Sequence, residues 1–186
     1  GNTETLNISF DIDALGSFQF DLDIENNDDN EDPYDIRVAG TGVADWVIIN
    51  EVDADTSGTD TAEFIELYDG GSGNTDLSGL VLVAYNGSDD QSYNLGGQSN
   101  AIDLDGYSTD ANGYFVIGNS GVSNVDLTFS DNSLQNGADA VALYMGDGTD
   151  FPNDSPLTTT NLLDALVYDT YDADDSGLLP LLNSGQ

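Results

Sequence analysis

Val47-Ile48-Ile49-Asn50-Glu51-Val52 and, across a polar loop, Glu63-Phe64-Ile65-Glu66-Leu67-Tyr68 decide how this chain folds. With Trp46 in front, the first stretch is an almost continuous apolar run, which predicts a strand covered on both faces. The second predicts a strand over Phe64 to Tyr68. Downstream, further strands are expected near Leu80 to Tyr85, Tyr114 to Ile117, Val125 to Phe129, Ala140 to Tyr144 and Ala165 to Tyr168, with Gly and Asn/Asp/Ser clusters in the gaps. No long segment holds a helical period, and at most a helical turn fits around Leu178 to Leu182. Many short strands punctuated by turn signals predict a β-sandwich.

Upstream, strict alternation takes over. Ile8, Phe10 and Ile12 alternate with Ser9, Asp11 and Asp13, and Phe18, Phe20, Leu22 and Ile24 alternate with Gln19, Asp21, Asp23 and Glu25. A third run, Tyr34, Ile36 and Val38, follows the polar loop from Asn26 to Pro33 and ends at Gly40-Thr41-Gly42. Period-two patterns of this kind are half-buried strands, and the three form an antiparallel meander. The expected organisation is therefore all-β: a small three-stranded segment over residues 1–42, then a sandwich over 43–186.

Composition narrows the chemistry. Across 186 residues there are 36 acidic side chains against one basic residue, Arg37, with no His and no Cys, for a formal charge of −35. The apolar fraction of 38%, with nine Tyr and seven Phe, is enough to build a core, unlike a disordered acidic tail. No apolar run approaches the roughly 18 residues needed to span a bilayer as a helix, so membrane insertion is not expected. Almost nothing is present to neutralise phosphates, so nucleic acid is not an expected partner without a bridging metal. A carboxylate with no cation beside it must be met by water, by backbone N–H groups or by a metal ion. Calcium is the metal that this oxygen-rich, nitrogen-poor chain suits.

Several blocks also resemble a known family. Val47 to Val52, Glu63 to Tyr68 and Asp76-Leu77-Ser78-Gly79-Leu80, in that order, resemble the bacterial lamin-tail domain, as do Leu134 to Tyr144 and Asp164-Ala165-Leu166-Val167-Tyr168 further on. The resemblance implies an immunoglobulin-like sandwich over 43–186. Against the family's usual extent it also implies a missing last strand, for which the favoured explanation is that the sequence is simply cut there, and the other is an open edge that a strand from another chain would complete. Residues Phe18 to Gly42 resemble the final strands of a different immunoglobulin-like surface-protein module.

Nucleophilic sites built on Ser–His or Cys–His, histidine zinc sites and lysine chemistry are excluded by composition. What remains is carboxylate chemistry. A two-carboxylate glycosidase is conceivable, but so many acids produce pairs by chance. Asp55-Thr56-Ser57-Gly58 resembles the Asp-Thr-Gly of aspartic proteases, with an intervening Ser and no second copy, so a polar turn explains it better. The sharper signal occurs twice: Asp53-Ala54-Asp55-Thr56-Ser57-Gly58 and Asp172-Ala173-Asp174-Asp175-Ser176-Gly177. Oxygen ligands at positions one, three and five with glycine at six are the spacing by which a loop wraps calcium. Asp60 or Glu63 would close the first loop. Asp28, in the loop Asn26 to Asp32, and the pair Asp103 and Asp105 are further candidates, although Asp103-Leu104-Asp105-Gly106 also reads as an ordinary turn. Tyr68, Tyr85, Tyr93, Tyr114 and Tyr144 fall on alternating strands and fit core or sheet-surface packing rather than a sugar-stacking face.

The expected function is a non-catalytic, extracellular or cell-surface module that binds structural calcium and serves display, adhesion or assembly, with copies of itself or neighbouring surface proteins as partners. A strand-complemented filament or sheath subunit is one form of this. The alternative is an accessory domain of a larger secreted hydrolase, such as an extracellular nuclease. Salt adaptation is a third explanation of the acids.

Overall fold

The structure, a computed structural model, describes residues 16–24, 34–42, 47–56, 58–169, 177, 178 and 182. The chain divides into two compact units, Gly1–Ala44 and Asp45–Gln186. In the first, β1 (Gly16–Ile24) and β2 (Tyr34–Gly42) pair antiparallel from Gly16 opposite Gly42 to Ile24 opposite Tyr34. Phe18, Phe20, Leu22 and Ile24 are half-buried and Gln19, Asp21 and Asp23 are exposed, as the alternation predicts. The Phe18 ring lies over its cross-strand partner Gly40, where a Cβ would meet it at 2.6 Å. Arg37 sits opposite Asp21 and donates to its carboxylate at 2.8 Å, which holds the guanidinium pKa above its ordinary value. The expected strand around Ile8 to Ile12 lies outside the described residues.

The second unit contains β3 (Ile48–Asp53), β4 (Phe64–Tyr68), β5 (Leu80–Asn86), β6 (Gln91–Tyr93), β7 (Ile102–Asp103), β8 (Tyr114–Gly118), β9 (Leu127–Thr128), β10 (Asp139–Met145) and β11 (Leu162–Tyr168). One sheet has the order β3-β4-β8-β9, and the other β11-β10-β5-β6 with β7 also on β5. All pairings are antiparallel except β8 with β9, which is parallel. The order of strands and the two sheets make an immunoglobulin-like sandwich, in line with the expected fold class.

Burial separates the two sheets. Every residue from Leu80 to Tyr85 and from Asp139 to Tyr144 is buried. Because successive side chains point to opposite faces, Leu80, Leu82, Ala84, Val141 and Leu143 occupy one face of the central pair. Val81, Val83, Tyr85, Ala140, Ala142 and Tyr144 occupy the other, packed with Phe151, Leu178 and Leu182 and with half-buried Leu157. A covering layer from the C-terminal third thus closes the second face. Leu178 and Leu182 both have helical backbone, where the sequence allows at most a helical turn.

In β4 and β8 the burial alternates: Ile65 and Leu67 are fully buried, as are Phe115 and Ile117, while Phe64, Glu66 and Tyr68 are half-exposed. Strand β3 departs from expectation. Ile49 is buried but Ile48 is 45% exposed, because among the described residues no layer packs on the outer face of this sheet as one does on β5 and β10. The doubly covered strands are β5 and β10. Of the expected strand Val125 to Phe129, only Leu127 and Thr128 pair. Strands β6 and β7, two or three residues long, are too short to carry a period.

Candidate functional site

Asp53 ends β3 half-buried, and Asp55 is exposed on the loop that follows. Asp60 and Glu63 turn inward and are 3% and 0% exposed. Their partners are amides, hydroxyls and carboxamides of the protein itself. One Asp60 oxygen accepts from Thr56 N at 2.9 Å and Thr56 Oγ1 at 3.2 Å, and the other from Asn136 Nδ2 at 3.2 Å. For Glu63, one oxygen accepts from Leu134 N at 2.9 Å, and the other from Ser133 N at 2.9 Å and Asn119 Nδ2 at 3.3 Å. Asn119 completes the exchange, since Glu63 N donates to its Oδ1 at 2.7 Å and its own N–H donates to the Glu63 carbonyl at 2.9 Å. These bonds fasten the loop that leaves β3 to the segment from Ser130 to Asn136. Burial raises the Glu63 pKa, opposed by the donors from Ser133, Asn119 and Leu134, and neighbouring Asp60 raises it further. The Thr56 N–H, then Asn136, hold Asp60 below the ordinary carboxylate range.

Asp103 and Asp105, the other described candidates, build turns. Asp103 accepts from Asp105 N at 2.8 Å and, through its second oxygen, from Gly148 N at 3.1 Å, while Asp105 accepts from Gly79 N at 2.7 Å. Asp28, Ser57, Asp172, Asp174 and Ser176 lie outside the described residues. The structure brings Asp60 and Glu63 together. Among the described residues no group of three or more acidic side chains is arranged to hold a metal ion.

Two further buried carboxylates were not singled out in the sequence. Asp69, 1% exposed, accepts from Gly71 N and Gly73 N at 3.0 Å each, from Thr75 Oγ1 at 2.6 Å and from Thr109 Oγ1 at 2.7 Å. Burial pushes its pKa up, but the four donors outweigh it and the net shift is downward. The cradle is tight, since a Cβ at Gly113, where φ is +93°, would run into the Asp69 carboxylate. Asp139 accepts from Gly87 N at 2.9 Å and Gly137 N at 3.1 Å. A signal existed for Asp69, because Asp69-Gly70-Gly71-Ser72-Gly73 is a strand end running into a turn whose free N–H groups an aspartate can accept. Asp139 bonds Gly87, which no local pattern anticipates.

Carboxylates also close the strand edges. On the free side of β8, Tyr114 N donates to Asp110 Oδ1 at 2.9 Å while Asp110 N donates back to the Tyr114 carbonyl at 2.7 Å. Val116 makes the same two-point exchange with Asp126, both bonds at 2.8 Å. On the free side of β3, Ile49 N donates to Asp164, a β11 residue, at 2.8 Å. Along β6, Ser92 is paired by Asp154 and Ser155. Each bond occupies a group that an incoming strand would need.

The tyrosines divide by layer. Tyr85 and Tyr144 are core residues with hydroxyls 3.1 Å apart, and Tyr144 donates to the Thr158 carbonyl at 2.7 Å. Burial pushes Tyr93 up to about 12, and raises Tyr85, Tyr144 and Tyr168 as well. The buried Tyr168 hydroxyl lies beside the Tyr93 phenol, which adds to the upward shift that burial gives it. Tyr68 and Tyr114 instead stack on the outer face of the four-stranded sheet.

No curated protein matches the chain. The Lamin Tail Domain family model matches residues 43–155, more than half of the sequence and most of the sandwich. The lamin tail domain is an immunoglobulin-like fold, consistent with a non-catalytic structural module. With the family model matched over more than half of its length, the chain belongs to the lamin tail domain family.

Proposed function

We propose that this chain is a non-catalytic structural and interaction module, displayed outside the cell, that engages partners through a sheet face. The observation that carries this reading is how its buried acids are used. Asp60, Glu63, Asp69 and Asp139 each accept from two or more donors and tie separate loops together. A carboxylate saturated in this way holds a fold rigid, whereas a general acid or nucleophile needs a face open to substrate. The capped edges of β3 and β6, with the stretch of β8 that β9 leaves unpaired also capped, favour contact through a face over strand exchange, which weighs against a strand-complemented filament.

Calcium belongs to this proposal as a structural ligand of the two Asp-x-Asp-x-Ser-Gly loops. Because Asp60 and Glu63 already serve backbone and side-chain donors, Asp53 and Asp55 are left as the described candidates in the first loop. Cations there would relieve repulsion in a chain of charge −35 and add binding free energy to folding. Thermal melting in calcium, in magnesium, and in high sodium with chelator tests it. Calcium at millimolar concentration is expected to raise Tm beyond the effect of equal ionic strength, with the gain reduced in Asp53→Asn and Asp55→Asn. Stability that follows sodium alone would instead make the acids a salt adaptation.

A further inference from the structure

The outer face of the four-stranded sheet combines two features that point to one kind of partner. Ile48, Tyr68 and Tyr114 form a single cross-strand row, Ile48 opposite Tyr68 in the β3–β4 ladder and Tyr68 opposite Tyr114 in the β4–β8 ladder. Ile48 is 45% and Tyr114 37% exposed, and they account for two of the three exposed large apolar side chains among the described residues. The Tyr68 and Tyr114 rings stack with centroids 4.7 Å apart and planes at 27°, so the row is a preformed ridge with little side-chain freedom left to lose on binding.

The neighbouring row on this face sets Glu51 directly opposite Glu66. Like charges in that position destabilise a sheet. Glu66 is met by a neutral donor, Asn50 Nδ2 at 2.7 Å, and the one basic residue of the chain, Arg37, is bonded to Asp21 in the other unit. The one cationic side chain of the sequence is therefore already paired, and a cation brought by a partner would relieve this repulsion. A second copy is the wrong occupant, since it would bring another −35 charges to the same place.

We propose that this face docks an extended basic segment of another protein, a Lys or Arg settling between Glu51 and Glu66 while an apolar or aromatic side chain packs on the Ile48–Tyr68–Tyr114 ridge. This rests on the reading of the chain as a non-catalytic interaction module and names its partner's chemistry. Same-face rows in a sheet are two residues apart, roughly 7 Å, so the basic and apolar side chains of the partner stand at i and i+2. Strand β4, which carries both Glu66 and Tyr68, sets that spacing.

The test is an NMR titration of the isotope-labelled chain with two synthetic peptides, Ac-Gly-Arg-Ser-Tyr-Ser-Arg-Gly-amide and its Tyr→Ser counterpart of equal charge, in about 0.1 M NaCl to screen diffuse attraction. Chelator is present throughout, so a failed titration counts against the docking face and not against calcium-loaded loops. The Tyr peptide is expected to shift Ile48, Glu66, Tyr68 and Tyr114 selectively and to bind roughly two- to fivefold more tightly than its counterpart. Tyr114→Ser should erase that preference, and Glu51→Gln with Glu66→Gln, which leaves the ridge intact, should weaken both peptides; spectral dispersion reports that each variant is folded. Equal affinity for the two peptides, or shifts spread over the other acidic surfaces, would overturn the proposal. So would self-association that Tyr114→Ser abolishes, because that would assign the face to a second copy.

Discussion

The two sheets of the sandwich are built from similar apolar strands and meet solvent in different ways. In β5 and β10 both faces are buried, since Phe151, Leu157, Leu178 and Leu182 cover the side turned away from the other sheet. In β3, β4 and β8 one face is buried and the other carries Ile48, Tyr68 and Tyr114 in the open. Val47-Ile48-Ile49 and Leu80-Val81-Leu82 look alike as sequence, but one lies at an edge and the other in the middle of a covered sheet. The uncovered sheet has a face to offer a partner.

The largest effect is expected from the covering layer. Leu178→Ala removes a fully buried side chain, and destabilisation of about 2–5 kcal/mol is expected from lost burial plus the cavity left behind, read as a lower denaturant midpoint at unchanged slope. A cost below about 1 kcal/mol would mean that β5 and β10 do not depend on that layer, and the contrast between the sheets would fail. Next comes Asp69→Ala, which strands two glycine N–H groups in a closed cradle at an expected cost of about 1–3 kcal/mol.

Acid tests the same clamp without removing it. Asp69 has a folded pKa below its ordinary value, so its contribution is present above the unfolded pKa and is lost as pH falls through the folded one. Asp60, Asp76, Asp110 and Asp147 shift in the same direction. Glu63, raised by burial, has the opposite sign: its contribution is full below the unfolded pKa and is lost as pH rises through the raised one. The denaturant midpoint of the parent chain is expected to fall below about pH 4, with a shallower fall in Asp69→Asn. Parallel curves for the two proteins would remove Asp69 from the account of acid sensitivity.

Smaller effects belong to the open sheet. Asp126→Ala frees Val116 N on β8 while leaving the backbone bond from residue 126 to the Val116 carbonyl in place, and the expected change is weak concentration-dependent association by size exclusion rather than a large loss of stability. Ile48→Ala, at a site already 45% exposed, is expected to change stability by no more than about 0.5 kcal/mol. A large cost there would mean that the outer face is part of the core.

Much of the fold was legible because strands announce themselves by period and punctuation. Phe64 to Tyr68 is a strand with the predicted bounds, and Leu80 to Tyr85, Tyr114 to Ile117 and Ala140 to Tyr144 differ from the observed strands by a residue or two. Leu178 and Leu182 take up the predicted helical backbone. The layer over β5 and β10 was not legible, because nothing local in Leu80 to Tyr85 says that residues some hundred positions later will cover it. Of the candidate site, the presence of Asp60 and Glu63 was legible, but the spacing that suggested a calcium loop does not reveal that Asn119, Ser133, Leu134 and Asn136 supply their donors.

By itself, the sequence determined an all-β chain with an apolar core and a charge of −35 that no internal cation balances. Those properties are sums and short-range periods, which a linear string records completely. Tertiary structure decided which carboxylates became buried clamps and which stayed in water. It also decided which strand edges were closed and which sheet face was left with its tyrosines exposed. Several of these outcomes, such as the donors that Asn119, Ser133 and Leu134 supply to Glu63 and the covering of β5 by Leu178, depend on contacts between residues far apart in the chain, where chain order carries no trace of the contact.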